Sequence, residues 1–113
     1  MTGTDIMDAC WQVLKDDEPR QFYPADRQVK WVNEAVEQIT QLRPDALIGD
    51  GGAGLRTVVE LTDLSDTVSI SSRWKTAAVS WVLMRCFQCD SEDEGDREQA
   101  ALHSQMFAEA VMR

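Results

Sequence analysis

The chain has 113 residues, 43% of them hydrophobic, with 11 Lys and Arg against 20 Asp and Glu and a formal charge of −9. That length supports one domain, residues 1–113, around a single core, and the apolar share excludes wholesale disorder. The charge argues against free nucleic-acid binding, which needs clustered Lys and Arg to neutralise phosphates, and no apolar run approaches a membrane span.

The start, Met1-Thr2-Gly3-Thr4-Asp5, lacks the basic residues and apolar stretch of a signal peptide. A cytosolic product is expected, with its three cysteines reduced. Thr4 is placed to cap a first helix, with Asp5 and Asp8 near its positive end. Ile6, Ala9, Cys10, Val13 and Leu14 fall on one face of it, and Asp16-Asp17-Glu18-Pro19 ends it.

Pro24 sits at or just before the start of a second helix, residues 25–43. There Val29, Val32, Val36 and Ile39 step at helical intervals, and Ala35 and Leu42 widen the stripe. Lys30, Asn33, Glu34, Glu37 and Gln41 take the other side, with Trp31 at the margin. Pro44 ends the helix because its ring disfavours helical geometry in the residue before it.

Residues 48–54 read as a glycine-rich loop. Thr57-Val58-Val59-Glu60-Leu61 and Thr67-Val68-Ser69-Ile70 follow, β-branched and short, and suggest an extended excursion or small hairpin around Asp63-Leu64-Ser65-Asp66. A two-stranded hairpin is weak in water unless something packs beneath it. Ser71 or Ser72 opens a third helix running to about Cys89. Val79, Val82, Leu83 and Cys86 form one apolar arc on it, and Trp74, Ala77, Ala78 and Trp81 another. A helix apolar on nearly all sides is buried on nearly all sides, so this one is expected at the centre. After the acidic run 90–96, Asp96 and Gln99 resemble a capping box. The fourth helix then carries Ala100, Ala101, Phe107, Ala108 and Val111 on one side. The expected fold is mainly α, a four-helix antiparallel bundle-like domain with an extended or hairpin excursion at about 48–70.

Gly49-x-Gly51-x-x-Gly54 matches the dinucleotide fingerprint in letters only. That motif needs a strand before it and a helix after it, so that amides meet a pyrophosphate, and here the order is reversed. Cys86 and Cys89 with Cys10 and His103 could in principle hold zinc. The pair lies inside an apolar helix, however, and a second pair at the usual spacing is missing. His103, the single histidine, has no oriented partner that would make it a general base. The run 90–96 lacks the ligand pattern of a calcium loop. No metal, cofactor or catalytic residue is expected, and no enzymatic activity.

The four tryptophans stand out. Trp is enriched in cores and also at interface hot spots. Trp81 is expected in the core, whereas Trp11, Trp31 and Trp74, nearer helix ends or stripe margins, are equally suited to an interface.

Three blocks resemble the head-to-tail adaptor (connector) proteins of tailed bacteriophages. The first is Leu14-Lys15-Asp16-Asp17, then the helix from Trp31-Val32-Asn33-Glu34-Ala35 to the Leu42-Arg43-Pro44-Asp45-Ala46 stop. The second is Leu61-Thr62-Asp63-Leu64-Ser65-Asp66. The third runs from Ala77 to Phe87, through Asp90-Ser91-Glu92, and on through Ala100 to Phe107. The resemblance implies a helical virion protein at the head–tail junction, assembled from the host cytoplasm. It would form a ring, typically of twelve copies, under the portal protein and offer a platform to the next tail component. DNA would pass through the ring without being specifically bound, and an acidic wall suits that passage. Adaptors of this kind often dock through a tail beyond the last helix. Here that helix reaches Arg113, so docking is expected from the 48–70 segment or the helix ends. The interface residues expected, toward portal or a neighbouring copy, are Trp11, Trp31, Trp74, Gly49, Gly54 and Arg56. The alternative is a small acidic phage regulator that mimics DNA on a basic host-protein surface.

Overall fold

A computed structural model describes residues 1–14, 25–48, 54, 56–89 and 94–112. Four α-helices account for most of them: α1 (Gly3–Leu14), α2 (Ala25–Leu42), α3 (Lys75–Cys89) and α4 (Glu94–Met112). The mainly α bundle expected from the periodicities is the architecture observed. Helix α3 is central, packing against α1, α2 and α4. Trp74, just before it, and Ala77, Ala78, Ser80, Val82, Leu83, Met84 and Cys86 are all buried, so most of both apolar arcs is covered, with Val79 and Trp81 half-buried. Ile6, Val32, Ile39 and Val82 are wholly inaccessible to solvent, and burying each contributes about 1.5–3 kcal/mol.

Three helix faces differ in detail from their expected composition. Helix α1 turns Ile6, Met7, Cys10 and Trp11 inward and leaves Val13 53% exposed, because its contact follows Trp11. Helix α2 buries Val32, Ala35, Val36 and Ile39, while Leu42, on its last turn, is exposed. Helix α4 packs through a narrow stripe of Ala100, His103, Phe107 and Val111, leaving Ala101 and Ala108 in solvent. The stripe meets α3 in an antiparallel sense: Trp81 meets Phe107 edge to face at 5.1 Å, and Phe87 stacks on His103 at 5.6 Å. Trp81 is thus only half-buried, against its expected place in the core.

The cap of α1 is Thr2 and not Thr4. Thr2 Oγ1 accepts from the Asp5 amide at 3.2 Å and the Thr2 amide donates to Asp5 Oδ2 at 2.9 Å. This is a reciprocal capping pair that satisfies amides the helix start leaves open. Thr4 instead meets the excursion, its amide and hydroxyl both donating to the Leu64 carbonyl. Ser71 caps a short 3₁₀ turn (Ser72–Trp74) that leads directly into α3.

The described part of the excursion, residues 56–70, contains no helix and reverses where expected, with the Asp66 amide donating to the Asp63 carbonyl at 3.1 Å. Among the described residues it forms no strand ladder. An isolated bridge pairs Thr2 with Thr67 in antiparallel fashion. The two limbs meet through a side chain instead, as the Val59 amide donates to Ser69 Oγ at 2.8 Å. Helix α4 already runs from Glu94, so Asp96 lies inside its first turn and is not its cap, and residues 94–96 of the expected acidic turn are helical; the expected helix start at Pro24 and residues 90–93 lie outside the described residues.

Candidate interaction surface

Asn33 is the residue that joins the excursion to the bundle. It faces the chain rather than solvent. Its Nδ2 donates to the Leu61 carbonyl at 3.0 Å, and its Oδ1 accepts from the Leu61 amide at 2.8 Å. A side-chain amide thus supplies the donor and acceptor that a neighbouring strand would give, and Leu61 is buried beside it.

The Arg43-Pro44-Asp45-Ala46 stop makes the second attachment. Pro44–Leu47 form a 3₁₀ turn. Arg43 Nε and Nη2 grip both oxygens of Asp45 at 3.0 and 2.9 Å, a bidentate pair. Its Nη1 donates to the Val111 carbonyl at 2.9 Å, where a cation also opposes the negative end of α4. The same guanidinium lies 5.0 Å over the ring of Trp74, with Arg73 at 5.5 Å. Pairing with Asp45 holds the Arg43 cation above its ordinary range and the Asp45 carboxyl below its own. Next in the chain, the Ser71 amide donates to the Ala46 carbonyl and the Arg56 amide to the Leu47 carbonyl. One motif therefore joins α2, α4, the start of α3 and both limbs of the excursion.

The acidic turn 62–66 closes on itself. Asp66 Oδ2 accepts from the Thr62 amide and hydroxyl and the Asp63 amide at 3.0–3.1 Å, and Asp63 Oδ1 from the Ser65 amide and hydroxyl at 2.8 Å. These bonds favour the ionised forms and lower both acids. The carbonyls of Leu64 and Asp66 then receive the first amides of α1, from Thr4 and Gly3. Gly3 suits that close approach, because a Cβ there would stand 3.0 Å from Leu61 Cδ1 and 3.1 Å from the Leu64 carbonyl, tighter than an ordinary contact.

What this framework presents outward is residues 56–60, all exposed, including Val58 at 44% and Val59 at 67%. Gly54 is exposed with φ of +90°, a conformation that suits glycine, and Arg56 projects beside the valines. Trp11, Trp31 and Trp74 sit elsewhere: each is 3–4% exposed and part of the one core cluster. Side chains so covered have almost no surface left for a partner, so the structure assigns them to packing. Gly49 lies outside the described residues. Val58 and Val59 were read only as strand formers, although two adjacent valines on a run with one covered face must include one that looks out.

The remaining chemical candidates are placed by packing. Cys10 is buried with its thiol 3.8 Å from the Val79 carbonyl, and burial pushes that thiol far up, away from the reactive thiolate. His103 is buried in the α3–α4 seam, and desolvation lowers it. Among the described residues no three His, Cys, Asp or Glu side chains gather as a metal site, and no helix is long and apolar enough to cross a membrane. No protein-family profile, curated protein or solved structure matches the chain.

Proposed function

We propose that this chain is a ring-forming head-to-tail adaptor of a tailed bacteriophage, which joins to the portal and continues the DNA channel without catalysing a reaction. The observation that carries this reading is the fastening of residues 56–71. Asn33, Ala46, Leu47 and the start of α1 hold this segment by its backbone. An excursion fixed at that many points yet presenting Val58 and Val59 to solvent is suited to be covered by another chain. Asn33 and Ala46 also fall within the blocks that carry the family resemblance. Leu102 and Met106, exposed one turn apart on α4, offer a second apolar contact of the kind a closed ring requires. The interface assignment rests on Gly54, Arg56, Val58 and Val59.

An acidic regulator is the weaker alternative, because Asp5, Asp45, Asp63 and Asp66 direct carboxylate oxygens to the chain's own groups. The deciding experiment is native mass spectrometry of the chain alone and mixed with the portal protein of the same genome. A portal complex carrying a full set of copies supports the adaptor. A clean monomer throughout the mixture overturns it.

A further inference from the structure

Val59 and Leu61 turn their backbone groups inward. The Val59 amide donates to Ser69 Oγ at 2.8 Å and its carbonyl accepts from the same hydroxyl at 3.4 Å, and both backbone groups of Leu61 meet the Asn33 amide. Two residues that sit two apart and present donor and acceptor to one side follow the alternation of a strand. Glu60 between them, and Val58 before them, then direct their amides and carbonyls away from the bundle. Both residues are exposed, and among the described residues neither backbone has a hydrogen-bond partner. This is a short strand edge whose inner side is satisfied by side chains and whose outer side is open. A row of alternating donors and acceptors is complementary to another strand.

The side chains indicate whose strand. Arg56, Val58 and Glu60 share one face at the spacing of two, and all three are exposed. When the segment is laid antiparallel on its own copy about Val58, Val58 meets Val58, and Arg56 of each copy stands opposite Glu60 of the other. Centring on Val59 or Glu60 instead sets Glu60 against Val58 or against itself. Opposite charges directly across an antiparallel pair are favourable and like charges unfavourable. The segment is thus self-complementary, and neutral within a chain of net charge −9.

We infer that residues 56–60 pair antiparallel with the same residues of a second copy of this chain, in register about Val58. The inference rests on the reading of residues 54–59 as a contact surface. Such a pair has twofold symmetry and closes at two copies, so it covers the segment in the free protein and is given up when a ring or portal contact replaces it. The test is sedimentation equilibrium of the full chain alone, over a wide concentration range, with NMR spectra at the same concentrations. A reversible dimer is expected, and the amides of Val58 and Glu60 should shift with concentration. Arg56→Glu and Glu60→Arg should each weaken dimerisation by about tenfold, the second although it reduces the net charge, because each sets like charges opposite at both ends. Mixed in equal amounts the two variants should regain the wild-type affinity as a heterodimer, since every cross-strand pair is again of opposite sign. Val58→Pro removes an outward amide and spares those of Val59 and Leu61, so it should abolish the dimer while Leu61 keeps its wild-type hydrogen exchange. A monomer at every concentration, a dimer that Val58→Pro leaves intact, or a mixture that associates no better than either charge variant alone would each overturn the inference. The adaptor reading fails separately, on the absence of a portal complex.

Discussion

Replacing Asn33 with alanine removes both hydrogen bonds that tie Leu61 to α2. Leu61 is 5% exposed, so its amide and carbonyl have poor access to replacement water. A side-chain hydrogen bond contributes about 1 kcal/mol net, and an orphaned buried group costs more, so Asn33→Ala should lose about 2–3 kcal/mol. Against a typical domain stability of about 5–15 kcal/mol the variant still folds. Urea unfolding followed by far-ultraviolet circular dichroism is the assay, and with a slope of about 1–3 kcal/mol per molar the midpoint should fall by about 1–2 M. Hydrogen exchange should quicken most at Leu61 and its neighbours, while α3 keeps its protection. Asn33→Asp keeps the acceptor but sets a carboxylate against the Leu61 carbonyl, and should be no better than alanine. A midpoint within about 0.2 M of wild type, with Leu61 exchange unchanged, would refute the claim that Asn33 fastens the excursion.

Trp31→Ala and Trp74→Ala should each cost about 3–5 kcal/mol, as removal of a large buried aromatic does. The double variant should therefore be largely unfolded by circular dichroism, and a native fold with intact stability would return these residues to the interface list. Gly3→Ala should cost about 1–3 kcal/mol through the clash with Leu64, read as a lower melting temperature. Stability should also decline in acid in two stages. The folded-state value of His103 is lowered from 6.5, so the stability its neutral form gives is complete above that pH and is lost as pH falls from there toward the lowered value. Asp5, Asp45, Asp63 and Asp66 are lowered from 3.8, so their contribution persists to that pH and disappears below it. In His103→Phe the urea midpoint should stay level between pH 7 and pH 5, since a phenyl ring keeps the stack on Phe87; a decline equal to that of wild type would exclude His103 as its source.

The four helices were legible because each carries a local signal: the valine steps of α2, the double arc of α3, and the proline after Arg43. The faces were less so. Helix α1 was assigned by the spacing of aliphatic residues, and its contact is set by Trp11, which covers more surface than any of them. Asn33 illustrates the harder limit. On a helical wheel it belongs with Lys30 and Glu37, and nothing near it in sequence reveals that the Leu61 backbone, 28 positions on, passes in front of it. The Arg43 stop was visible as punctuation, but its grip on Val111 depends on where α4 ends in space. The tryptophans were divided between core and interface because composition favours both. Only the packed geometry of a narrow bundle, in which ring-sized side chains fill the helix ends, decides for the core.

The guanidinium of Arg43 also sets which parts of the molecule can loosen separately. The last turn of α4 is held by a residue 68 positions earlier, which also grips the 3₁₀ turn and rests on Trp74. Helix ends ordinarily fray one residue at a time with little consequence elsewhere. Here, peeling back α4 means releasing Arg43, and with it the turn whose Ala46 and Leu47 carbonyls anchor Ser71 and Arg56. The end of α4 and the base of the excursion therefore open as one cooperative unit, and a load applied to either is borne by both.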